Sequence, residues 1–130
     1  MYSFSTRLEG ELSAIEQRVV NALQEEGFGV LTEIDVQATL KKKLGIDKRP
    51  YKILGACNPT FANQALEAES GIGLLLPCNV VLREEECEMI RVAIMDPVAV
   101  LQLVDREEIG TLAKEVPSRL ERVKQALGEF

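Results

Sequence analysis

From Ile72 to Leu82 the chain reads Ile-Gly-Leu-Leu-Leu-Pro-Cys-Asn-Val-Val-Leu, apolar at nearly every position. A segment without a polar face has to be covered on both sides, so this stretch predicts a central strand in a layered fold. Pro77 has no N–H to give to a ladder, which implies a bulge or a local edge there. The run, broken by Gly73, Pro77 and Asn79, is too short for the roughly 18 apolar residues that cross a bilayer. No membrane segment is expected.

The flanking segments supply the covering layer. Tyr2 and Phe4 alternate with smaller polar residues as in a short strand, and Ser5 or Thr6 then caps a helix whose stripe is Leu8, Leu12, Ile15, Val19 and Leu23. Gly27 ends it. Phe28 to Ile34 reads as a strand with Val30, Thr32 and Ile34 on one face and Leu31 and Glu33 on the other. Asp35 caps a helix over 36–44, and Lys41, Lys42 and Lys43 complement its negative end before Gly45. Tyr51 to Cys57 predicts a third strand, followed by a helix opened by Asn58 as cap and Pro59 at its first position and closed at Gly71. After the apolar run and a charged turn at Arg83 to Glu86, Cys87 to Met95 returns as the second strand of a hairpin. Asp96-Pro97 starts a brief helix. The last helix aligns Ile109, Leu112, Val116, Leu120, Val123 and Leu127 on one stripe across Pro117, which kinks it.

This order of elements predicts an α+β fold, a mixed sheet of about five strands packed against helices in a two-layer sandwich. At 130 residues the chain is expected to form a single domain, 1–130, large enough for a core without disulfides.

Charge and cysteine usage narrow the function. The net charge is −6 and there is no histidine, so the average field repels phosphate backbones, and serine-histidine catalysis is excluded. No nucleic acid is expected as a partner. Three cysteines, Cys57, Cys78 and Cys87, stand at irregular spacing without a CxxC pair, and no signal-peptide pattern opens the chain. A reducing cytoplasm is the expected compartment.

The chemistry-bearing residues gather at predicted strand ends. Cys57 precedes the Asn58-Pro59 helix start, where the dipole would favour a thiolate; the plainer role is a small buried residue. Cys78 lies in Pro77-Cys78-Asn79, and if its strand neighbours the one ending at Cys57 the two thiols approach each other. With Glu33 they could then hold a thiophilic metal ion, or cycle as a disulfide. A separation of 21 residues lacks the short spacing of metal motifs. Glu33 and Asp35 sit at a strand end leading into a helix, a common place for acid, base or metal-ligating groups, although Asp35 also suits a cap and Glu33 a solvated strand position. Asn58 and Asn79 could orient a ligand beside the cysteines or simply cap and turn. Lys41 to Lys43, Lys48, Arg49 and Lys52 concentrate positive charge that could attract a phosphate, a carboxylate or an acidic partner.

The segments Gly27 to Asp35, Ile53-Leu54-Gly55-Ala56-Cys57-Asn58-Pro59 and Leu75-Leu76-Pro77-Cys78-Asn79-Val80 resemble, in order, the domain-of-unknown-function family 302. The likeness runs from Gly27 to the final helix. It implies a small prokaryotic domain of two-layer form, with a dimer among its forms, and no established activity.

The leading expectation is therefore a non-enzymatic ligand-binding or protein-interaction module, a homodimer, taking a small ligand at Cys57, Asn58, Cys78, Asn79, Glu33 and Asp35, with no cofactor predicted. The alternative is a thiol-dependent or metal-binding function on Cys57, Cys78 and Glu33. An enzyme with Cys57 as nucleophile and Glu33 or Asp35 as base ranks last.

Overall fold

The computed structural model describes residues 2–101, 103–104 and 107–128; the side chains of 108 and 111–113 are not described. Five strands, β1 (Ser3–Glu9), β2 (Gly29–Asp35), β3 (Tyr51–Cys57), β4 (Cys78–Glu84) and β5 (Met89–Met95), form one sheet in the order β1-β5-β4-β3-β2. Helices α1 (Leu12–Glu25), α3 (Pro59–Ala68), α4 (Pro97–Leu101) and α5 (Glu107–Leu127) contact one another or the sheet, while α2 (Val36–Leu44) contacts β3 and buries no residue.

All four pairings are antiparallel, so the expectation of a mixed sheet is corrected. Each of β2 to β5 pairs with its neighbour in the chain and simply reverses direction, through a helix or a turn. Only β1-α1-β2 joins strands pointing the same way, and these stand at opposite edges, too far apart to pair.

Alternation along the strands sorts the two faces. Phe4, Thr6 and Leu8 of β1 stand in register with Ile94, Val92 and Ile90 of β5. Val80 and Leu82 continue the same face, and Leu54 and Ala56 complete it. This face meets Ile15, Val19 and Leu23 of α1 and Val116, Leu120, Val123 and Leu127 of α5 in one core. Val80, Leu82, Ile90, Val92 and Ile94 are fully buried, each contributing roughly 1.5–3 kcal/mol. A one-residue slip would turn all of them outward, so the register is strongly specified.

Three local departures from the sequence reading have physical causes. Helix α1 begins at Leu12, because Gly10 takes φ 140 and breaks the chain after β1. Leu8 fits a helical stripe and a strand alternation equally well, and the strand claims it. In β2 the register shifts between Val30 and Thr32. Leu31 is the extra residue of a bulge, so Val30 faces the core while Thr32 and Ile34 lie with the open face.

The third departure concerns the apolar run. Only its second half is strand; Ser70–Leu75 form a 3₁₀ turn and β4 begins after Pro77. Ile72 is 1% exposed, packed with Ala65 of α3 and Ile109 of α5 in a second small core, whereas Leu74 is 93% exposed. An apolar stretch can thus hide one residue in three against helices instead of two in two across a sheet. Leu112 of the predicted α5 stripe lies outside the described side chains; the other five are buried.

Candidate functional site

Strands β3 and β4 end side by side, and their ends carry the cysteines. Cys78 stands opposite Ala56 in the ladder, one residue from Cys57. Both thiols line a pocket of about 50 Å³ bounded by α3, the 3₁₀ segment and α4, with Phe61, Ala62, Leu75, Leu76, Val100 and Leu101 among its walls. Among the described residues no carboxylate, lysine or arginine lines it.

The Asn58 side chain accepts from the N–H of Thr60 at 3.1 Å and of Phe61 at 3.2 Å, which fixes the start of α3 and so one wall. Its amide also closes on the end of α1. A Cβ on Gly27, at φ 85, would come within 2.8 Å of Asn58 Nδ2 and 3.4 Å of an Arg119 nitrogen. Arg119 donates to the Glu26 carbonyl at 3.1 Å and lies over the Phe61 ring at 5.1 Å, binding α5, α3 and the α1 end together behind the pocket.

Burial decides the state of the thiols. It pushes Cys57 above the ordinary thiol value, the opposite direction to the lowering expected from the helix start. Cys78 is pushed up to about 11, first by burial and then by the neighbouring Cys57. Both are protonated near neutral pH, and among the described residues no base lines the pocket beside them.

The remaining candidates lie elsewhere. Glu33 stands opposite Leu54 in β2 and forms an ion pair with Lys52 at 2.6 Å, and Lys52 also reaches Glu16 at 2.9 Å. These two carboxylates raise the Lys52 pKa. Glu33 is engaged with Lys52, and the structure does not bring it to Cys57 and Cys78; among the described residues no cluster of three or more potential metal ligands forms. Asp35 caps α2, accepting from Ala38 N–H at 2.9 Å. Asn79 alternates with Cys78 and faces the open side of the sheet, in a different hollow. Of the basic run, Lys41 pairs with Asp47 at 2.7 Å.

The pocket walls were not singled out in the sequence, because Phe61, Leu75 and Val100 look like any core residue there. A second omission is more informative. On the open face Arg7 stands opposite Arg91, and Arg91 opposite Arg83. The hairpin alternation already placed Arg91 on the face opposite Ile90, but the turn assigned to Arg83 hid its partnership.

The chain matches the model of the family "Domain of unknown function DUF302" over residues 4–127. It belongs to that family. A solved structure described as an uncharacterized conserved protein DUF302 from Bacillus stearothermophilus is similar to it, with 25% identity, a TM-score of 0.87 and 98% of each chain covered. No curated protein matches. Among the described residues no helix is long and apolar enough to cross a membrane.

Proposed function

We propose that this DUF302 domain is a non-enzymatic binding module that takes a short apolar group into the pocket at the Cys57 and Cys78 strand ends. One observation carries the reading: among the described residues the only polar side chains lining the pocket are Asn58, whose oxygen is occupied as a cap, and two protonated thiols. Such a surface recognises shape and apolarity. At about 50 Å³ it is a third of the ~150 Å³ cavity that accepts benzene, so it suits a group of a few carbons at most. The test is a titration with isobutanol, followed by the backbone amides; saturable shifts confined to the pocket support the reading and diffuse, unsaturable shifts remove it. A cytoplasmic setting belongs to the same proposal, supported by three free cysteines.

Self-association is the second reading. Strand β2 ends the sheet with one edge unpaired, and Leu31 and Ile34 on it are 66% and 50% exposed. Leu44, the last residue of α2, and Ile46 after it are exposed as well. An edge of this kind is a ready template for a second copy, which suits a homodimer.

A further inference from the structure

The open face of the sheet holds three arginines in one row, a strand apart: Arg7, Arg91 and Arg83. Like charges placed directly opposite destabilise a sheet, and the chain as a whole is acidic. A single carboxylate serves all three. Glu85 meets Arg7 Nε at 3.0 Å through one oxygen, and Arg83 and Arg91 at 3.0 and 2.9 Å through the other. Three guanidiniums against one carboxylate leave two positive charges in excess; with Arg49, Glu84 and Glu86 of the adjoining hollow included, one remains. Arg91 also donates to Ser5 Oγ at 3.1 Å, which fixes its plane.

Beside this row the face forms an open hollow of about 570 Å³, floored by Val81, Ala93 and Met95 and flanked by Tyr51, Tyr2 and Asn79. That volume is of small-ligand size. We infer that the hollow binds a small organic phosphate, its phosphoryl group on the Arg83–Arg91–Arg7 row and its organic part on the Val81–Ala93–Met95 floor. A guanidinium fork matches phosphate oxygens bidentately. The row stays positive even when its neighbours are counted, and a phosphate group carrying about −1.5 to −2 gains more from that field than a single carboxylate. Glu85 stands where a bound oxyanion would lie and holds the row together in its absence.

The experiment is a titration with phenyl phosphate followed by backbone amides, with benzyl alcohol and benzoate as controls. Saturable shifts across β4 and β5 are expected, weakened about tenfold or more by Arg83→Gln, which removes a charge-assisted contact. Glu85→Gln, checked as folded by its amide spectrum, is expected to tighten phenyl phosphate by roughly threefold or more because it removes the competing carboxylate. Those two variants acting in opposite directions separate binding from a merely structural role. Benzyl alcohol or benzoate binding as tightly as phenyl phosphate, or Glu85→Gln failing to tighten it, overturns the proposal. So does a dimer that dissociates on Arg83→Gln without any phosphate effect, since that assigns the face to a second copy.

Discussion

Cys78 lies one ladder position from Cys57 on the neighbouring antiparallel strand, and a charge on Cys57 would make Cys78 harder to ionise. Burial in an apolar pocket holds both in the neutral thiol form, and for Cys78 the neighbouring Cys57 adds to it. This pairing distinguishes the site from the reactive cysteines of thiol enzymes, which sit beside a cation or base.

The pairing sets a pH dependence. The Cys78 pKa is raised in the folded chain from 9.0 to about 11, so the folded state retains a proton that the unfolded state gives up. The stability associated with it is complete below about pH 9 and is lost as pH rises toward about 11, to the extent of roughly 2–3 kcal/mol. Urea unfolding of wild type and Cys78→Val at a series of alkaline pH values checks it. Their difference is expected to shrink as pH rises; a constant difference contradicts the account. Comparison with the variant isolates Cys78 from Lys52, whose own raised pKa also makes stability fall at alkaline pH.

Gly55 is expected to tolerate no side chain. A Cβ there would collide with Thr32 Oγ1 and come within 2.7 Å of Pro77 Cγ. Gly55→Ala should cost roughly 1–3 kcal/mol through overpacking. Adding Thr32→Ala should restore part of that loss, because it clears the nearer contact. Chemical denaturation of both variants reads the outcome, and equal losses in the single and double variants would show that Thr32 is not the obstacle.

How far this was readable beforehand depends on what each element's pattern encodes. The helix starts at Asp35 and Asn58 were legible, because each side chain caps its own helix and a cap is a local matter. The β3 strand and the β4–β5 hairpin were legible from alternation. Strand direction was not, since hydrophobic alternation is the same in parallel and antiparallel ladders. The stretch Ile72 to Pro77 failed for a related reason: an apolar run has no period, and whether Ile72 packs on helices or in a sheet depends on α3 and α5. At the site, the convergence of Cys57 and Cys78 was posed correctly as a question of neighbouring strands. The pairing of Glu33 with Lys52 is not legible in the sequence, because only the β2–β3 register identifies the partner. Asn79 was grouped with Cys78 although adjacent strand residues point to opposite faces, a consequence of the pleat.

The β2 edge makes a prediction about mass. If it joins a second copy, light scattering at micromolar concentration gives twice the monomer mass. Leu31→Lys, which puts a charge on the edge, should then return the protein to monomer with a stability change within about 0.5 kcal/mol, as for other exposed sites. A monomer mass for the wild type removes the self-association reading and leaves the pocket untouched.

On the proposed reading, the pocket at Cys57 and Cys78 receives a small apolar group. This is tested most directly by the isobutanol titration repeated on Ala62→Leu, which fills the pocket from the half-buried wall of α3. Saturable amide shifts at Phe61, Leu75, Cys78 and Val100 are expected in the wild type, with at least about a tenfold loss of affinity in the variant, since methylene-scale contacts are worth ~1–3 kcal/mol. Equal binding by wild type and Ala62→Leu rules the reading out.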